Sequence, residues 1–259
     1  MVLVRAFRAL RPRPDLAHAL VSVPYDVVSR DEAAALAASS PHSFLHVTKP
    51  EIDLPADADP YGADVYLRGR ENLERMVDDG VLVRDPHESY YVYRLEMGGR
   101  AQTGVVVAVR CAEYDAGIVR RHELTRPDKE DDRVAHIKTL SAQTGVAFLV
   151  HRSSDAIAAV IQRVTSAPPE NDVVTSDGVR HQFWLASPAE VPTVTQAFAA
   201  VPLLYVADGH HRIAAACRIA RERREQGEAP DGPAQCFLAV SFPQEDLAIM
   251  PYNRHAPWH

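Results

Sequence analysis

Cysteine is scarce in this sequence. Cys111, Cys217 and Cys236 are the only three in 259 residues, and no two share a CxxC spacing. That excludes a disulfide framework and a cysteine-rich zinc site, and favours a reducing, cytoplasmic setting. Long apolar runs are also missing. No stretch approaches the roughly 18–20 residues a membrane span needs, and the opening "MVLVRAFRALRPRPD" is too short in its apolar part and too rich in arginine for a secretory signal. Positive charge is not in excess, because the formal net charge is -7. Broad nucleic-acid binding wants a basic surface and is therefore disfavoured, although a local basic pocket for an anionic ligand is still allowed. What is present is ordinary for a globular chain: 46% hydrophobic and 24% charged residues, with enough length for a sizeable core. Nothing in the sequence fixes whether the chain forms an oligomer.

Read along its length, the chain alternates helical and extended patterns. "SRDEAAALAASSP" predicts a short helix with Ser29 and Glu32 in the positions of a capping box, ended by Pro41. "HSFLHVTKPE" reads as a strand entering a loop, and "IDLPADADP" as an exposed linker. A helix is expected from about Tyr61 to Asp79. "YYVYRLEMGGRAQTGVVVAVRCAEY" is β-branched and aromatic around Gly98-Gly99, a hairpin signal. A second hairpin is expected at Asp177-Gly178, and strands at "VAFLVHR", "LLYVAD", "QCFLAVSF" and "LAIMPYN". Helices are expected at "SSDAIAAVIQRVTSAP", capped by Ser153 or Ser154, at "SPAEVPTVTQAFAAVP" and at "HHRIAAACRIARERREQG". The sum is one α/β domain over residues 1–259, a mixed α+β sheet with flanking helices.

Two polar clusters carry chemistry. In "VADGHHRIAAA" an apolar strand meets a helix at Asp208-Gly209. Gly209 permits a tight bend, and the first amides of the helix, with its dipole, suit a phosphate. His210, His211 and Arg212 can add charge or hydrogen bonds to its oxygens. Asp208 would be repelled by phosphates unless Mg²⁺ or a proton lies between them. Both histidines on one metal ion is the weaker option, because adjacent helical side chains diverge. The plainer alternative is that Asp208 caps the helix and the histidines make local hydrogen bonds.

The second cluster, "RHELTRPDKEDDR", holds Arg121, His122, Glu123, Thr125 and Lys129 but lacks the HExxH spacing of zinc proteases. Between positions 121 and 138 five basic residues face five acids, so a self-paired solvated helix competes with a phosphate and metal site. "VPYDVVS" adds Tyr25 and Asp26, and "PHSFLHVTKPE" adds His46, Thr48 and Lys49. Each of those two stretches reads either as an ordinary strand edge or as the lining of a small polar pocket.

"VPYDVVS", "SFLHVTKPE", "RRHELTRPDKEDDR" and "LYVADGHHRIAAA", in that order, resemble the bacterial DUF1015 family. "HELT" matches its HExT element and "DGHHR" its signature, and the similarity runs to "IMPYNRH". The DGHHR turn is also similar to the phosphate-binding element of the ParB/sulfiredoxin superfamily, whose fold free serine kinases share. The resemblance implies a ParB/sulfiredoxin-like core with additional elements. It also implies a small-molecule kinase making O-phosphoserine from L-serine, with Mg²⁺ and with ATP, or alternatively ADP, as donor. Family members usually continue further than "PYNRHAPWH", so either a natural short form or a truncated chain is expected.

On that reading Gly209, His210, His211 and Arg212 bind the nucleotide phosphates, supported by Arg121, Thr125 and Lys129. Asp208 holds Mg²⁺ or accepts the hydroxyl proton, Glu123 is the other base with His122 beside it, and Asp26 and Lys49 hold the amino and carboxylate groups of the substrate. The main rival is a ParB-like switch that binds and hydrolyses nucleotide without an amino-acid substrate. Sulfiredoxin-like chemistry would require a cysteine in the phosphate turn, where this chain has His210 and His211.

Overall fold

The structure is a computed structural model and describes residues 2–248. In chain order the extended segments and helices begin with β1 (Val4–Arg5), β2 (Leu10–Pro12), α1 (Ala17–Leu20), α2 (Arg30–Ala37), α3 (Leu45–Thr48), α4 (Ala63–Asp78) and β3 (Leu82–Arg84). The middle of the chain holds β4 (Tyr91–Met97), β5 (Arg100–Arg110), α5 (Cys111–Asp115), β6 (Val119–Arg120), α6 (Pro127–Leu140), β7 (Ala147–His151) and α7 (Asp155–Val164). Then follow β8 (Asn171–Val174), β9 (Arg180–Leu185), α8 (Val191–Ala199), β10 (Leu204–Asp208), α9 (His210–Glu225) and β11 (Cys236–Pro243). Among the described residues no helix is long and apolar enough to cross a membrane.

Nine strands form one mixed sheet in the order β6-β10-β7-β11-β5-β4-β9-β8, with β1 also paired to β5. The period-two pleat sorts side chains onto two faces. Val105, Val107 and Val109 of β5, Ala147 and Leu149 of β7, and Phe237 and Ala239 of β11 point to the main core. Their neighbours Val106, Phe148, Leu238, Val240 and Phe242 point to a second core with Tyr91 and Phe183. Helices α7, α8 and α9 cover the main core through Ile157, Val160, Val194, Phe198, Ile213 and Cys217. Small residues at Ala214, Ala215, Ala216 and Ala220 are buried and let α9 approach closely. Its other seam packs Ala215 and Ile219 on Val134 of α6, and Leu140 of α6 joins Leu73 and Met76 of α4 in a further cluster.

Local signals produce the expected elements. Ser29 accepts from the Glu32 amide, and Glu32 returns a bond to the Ser29 amide, which closes the capping box of α2. Gly98 and Gly99 take φ of +58° and +77°, so both central turn residues are left-handed, as a two-residue hairpin requires. Ser154 caps α7, and the hairpin at Asp177-Gly178 joins β8 to β9.

Four expectations are corrected. "SFLHVTK" is not a strand: Thr48 and Val47 amides bond back to the Phe44 carbonyl at 3.0 Å, and Leu45, Val47 and Thr48 are buried in α3. Packing against α4 outweighs the extended preference of a short segment. "CAEY" leaves the hairpin and forms α5. Helix α2 ends at Ala37, ahead of Pro41. Leu247 and Ala248 of "LAIMPYN" are not in a strand, and the rest of that segment, like "IMPYNRH", lies outside the described residues.

Candidate functional site

The turn between β10 and α9 is built on Gly209. Its φ is +89°, and a Cβ there would meet the Cα of Ala147 at 3.1 Å. Conformation and space therefore both demand glycine. The turn leaves α9 with no side-chain cap, so Asp208 does not cap it. Asp208 is exposed instead, with its carboxylate 3.5 Å from Arg212 Nη1.

Beside this turn runs the segment after β6. Strands β6 and β10 are parallel, with Leu204 opposite Val119 and Tyr205 opposite Arg120. Residues 121–123 therefore leave the sheet edge alongside 206–210. His122 Nδ1 donates to the Val206 carbonyl at 2.9 Å, which leaves Nε2 with the lone pair of the neutral ring. The rings of His122 and His210 meet edge-on with centroids 4.5 Å apart. Glu123 Oε1 lies 3.1 Å from His210 Nδ1; the histidine side chain is 4% exposed and the glutamate 55%. Burial pushes the His210 imidazole below its ordinary pKa, while the Glu123 carboxylate works in the opposite direction. His210 Nε2 is buried without a hydrogen-bond partner, as is His211 Nδ1.

A cleft of about 370 Å³ opens next to this segment. Arg120, Arg121 and Arg221 line it together with Tyr114, Thr125 and Ala214. Arg121 stacks over the Tyr114 ring at 5.8 Å, and Arg221 pairs with Asp115 at 2.9 Å. Thr125 donates to Glu130 Oε2 at 3.1 Å. Asp115 and Glu130 line it too, so three guanidinium groups share the concavity with two carboxylates; the balance still favours an anion, with Arg221 partly engaged by Asp115.

The other predicted site residues are engaged by partners of their own, some at this turn and some elsewhere. Arg212 is committed within the protein: Nη2 donates to Asp26 Oδ2 at 3.0 Å and Nη1 to the Val146 carbonyl at 3.0 Å. Asp26 thus sits at the turn as a partner of Arg212. Tyr25 lies between two guanidiniums, with Arg133 at 4.0 Å and Arg212 at 5.7 Å from its ring centre. Lys129 reaches the Tyr61 hydroxyl at 3.2 Å. Lys49 pairs with Glu51 at 3.1 Å, at the end of α3. Arg120, Arg221 and Tyr114 were not foreseen. Arg120 adjoins the polar cluster and Arg221 lies three residues after Arg218 on α9, but only the fold places both at one cleft. The fully buried Cys217 has its thiol pushed well up by burial and by Cys111, which disfavours nucleophilic sulfur chemistry here.

The chain belongs to the family described as "Protein of unknown function (DUF1015)", whose profile matches residues 4–256. No curated protein and no solved structure matches it.

Proposed function

We propose, taking DUF1015 membership as the premise, that this chain is a nucleotide-dependent small-molecule kinase that phosphorylates the hydroxyl of free L-serine. The observation that carries the reading is the position of Glu123. Its chain neighbours Arg121 and Thr125 line the cleft, of which Glu123 itself is not a lining residue, and it lies 3.1 Å from His210 Nδ1. The ParB/sulfiredoxin-like relation, and with it the choice of serine, belongs to this proposal.

Phosphoryl transfer asks for positioning and charge neutralisation. Arg120, Arg121 and Arg221, which line the cleft, receive the donor's phosphates. Glu123 takes the proton of the acceptor hydroxyl as its oxygen bonds to the terminal phosphorus. The bond from that phosphorus to the bridging oxygen breaks, and its electron pair leaves with the nucleotide product. His210 orients Glu123, and Arg212 with Asp26 stiffens the turn instead of gripping phosphate.

Among the described residues, the donors that gather are not those of a resident Mg²⁺ site. Asp208 and Asp26 both lie against Arg212, at 3.5 and 3.0 Å, and the three donors that gather are two imidazoles and one carboxylate. Mg²⁺ prefers an all-oxygen shell. It enters with the nucleotide, as part of the substrate.

The test is incubation with Mg²⁺-ATP or Mg²⁺-ADP and L-serine, followed by mass spectrometry for O-phosphoserine. Glu123→Gln is expected to lower its formation by about 10²–10⁴-fold. Nucleotide hydrolysis independent of serine would support a ParB-like switch instead, and no phosphorylated product with any hydroxyl amino acid would end the kinase reading.

A further inference from the structure

We propose that His122, Glu123 and His210 form a binding site for one divalent transition-metal ion of the Zn²⁺ or Co²⁺ class. Each residue offers one ligand atom, and the three atoms lie within 4.8 Å of one another. Two neutral imidazoles and a carboxylate form a donor set that borderline metals favour and Mg²⁺ does not.

Three features make this more than a chance group. First, the 3.1 Å between His210 Nδ1 and Glu123 Oε1 is close to the edge of a tetrahedron with metal bonds of about 2.0 Å, roughly 3.3 Å. Second, His122 Nδ1 donates to the Val206 carbonyl. Such a backbone acceptor fixes the tautomer and orientation of a metal-ligating histidine. Third, the His210 ring is 4% exposed, so packing holds its Nδ1 against Glu123; the unpartnered Nε2 is the other ring nitrogen and is not the ligand. His122 and Glu123 are exposed, so an ion has a way in and a coordination position is left for water or an anion.

The site goes beyond the kinase reading and rests on geometry alone. It does bear on that reading, because an ion on Glu123 occupies the carboxylate that accepts the proton. Occupancy by Zn²⁺ therefore holds the proposed base out of use.

The experiment titrates the full chain, with any affinity tag removed, with Co²⁺ and Zn²⁺. Calorimetry reads stoichiometry and affinity, and visible absorption reads the Co²⁺ ligand field. One ion per chain is expected, with a band of low-coordinate type that Zn²⁺ bleaches and a large excess of Mg²⁺ does not. The exposed-ligand variants His122→Ala and Glu123→Gln should each weaken binding by at least about tenfold, as even supporting residues do at such sites. Circular dichroism should confirm that both stay folded. Absence of saturable binding, affinity in either variant equal to that of the parent chain, or displacement of Co²⁺ by Mg²⁺ would each overturn the proposal. These readouts need no turnover, so they stand whether or not the chain phosphorylates serine.

Discussion

Asp26 and Arg212, 186 positions apart, meet through a 3.0 Å hydrogen bond between carboxylate and guanidinium. The same guanidinium reaches the Val146 carbonyl and lies 3.5 Å from Asp208. One side chain thus ties the N-terminal "PYD" segment, the approach to β7 and the β10–α9 turn together. A double-mutant cycle of Asp26→Asn and Arg212→Ala should give a coupling on the order of 1 kcal/mol, since Arg212 is mostly buried while Asp26 is half-exposed. Arg212→Lys should recover little of the loss, because a point charge cannot serve two carboxylates and a carbonyl at once. Urea unfolding measures it. A coupling indistinguishable from zero would remove this clasp from the stability of the turn.

Gly209→Ala should destabilise the fold by about 2–4 kcal/mol, combining left-handed backbone strain with a steric conflict. The conflict is with Ala147, whose Cα would lie 3.1 Å from the new Cβ. Gly209→Asn separates the two contributions. Asparagine tolerates the left-handed region but carries the same Cβ, so it should be rescued only in part. Full rescue would show that strain alone matters.

In the cleft, Arg121→Ala and Arg221→Ala should each weaken binding of inorganic triphosphate by about tenfold or more, the loss expected for one charge-assisted hydrogen bond. Both variants should also show a shallower dependence of affinity on salt. Arg126→Ala is the control, since Arg126 pairs with Asp128 at an exposed position. Calorimetry across ionic strength decides. Equal loss in all three variants would point to general charge and not to this cleft.

Much of this architecture was legible because its causes are local. A capping box, a Gly-Gly turn and a period-two run each act within a few residues, and Ser29, Gly98 and β5 behave as written. The helical turn of "SFLHVTK" was not legible, because it is chosen by contacts with α4, which the segment itself does not encode. The site was legible in composition but not in pairing. His122, Glu123 and His210 were visible as chemistry, yet their meeting depends on the parallel register of β6 with β10, a long-range choice. The contact of Arg212 with Asp26 joins residues 186 positions apart, and only the fold places Arg221 at the cleft; neither is written in the local sequence.

Stability should fall with acid in a window set by two buried histidines. His136 is buried, and burial, with Arg133 adding to it, lowers its pKa from 6.5 to about 4. Its Nε2 donates to the Val47 carbonyl at 3.0 Å, a bond that works against the lowering without reversing it. His151 is likewise pushed down to about 4 by burial, with Nδ1 at 2.8 Å from the Ser241 hydroxyl. The unfolded chain binds these protons near pH 6.5 while the folded chain resists them until about pH 4. The stabilisation is therefore complete above the unfolded value and is lost as pH drops through that interval, on the order of 3 kcal/mol for His136. His136→Gln keeps a donor for Val47 and removes the proton site, so its unfolding free energy should vary less with pH over the same range. Denaturant titrations at several pH values measure the slope. An unchanged slope in His136→Gln would mean that this ring takes up its proton without unfolding the protein.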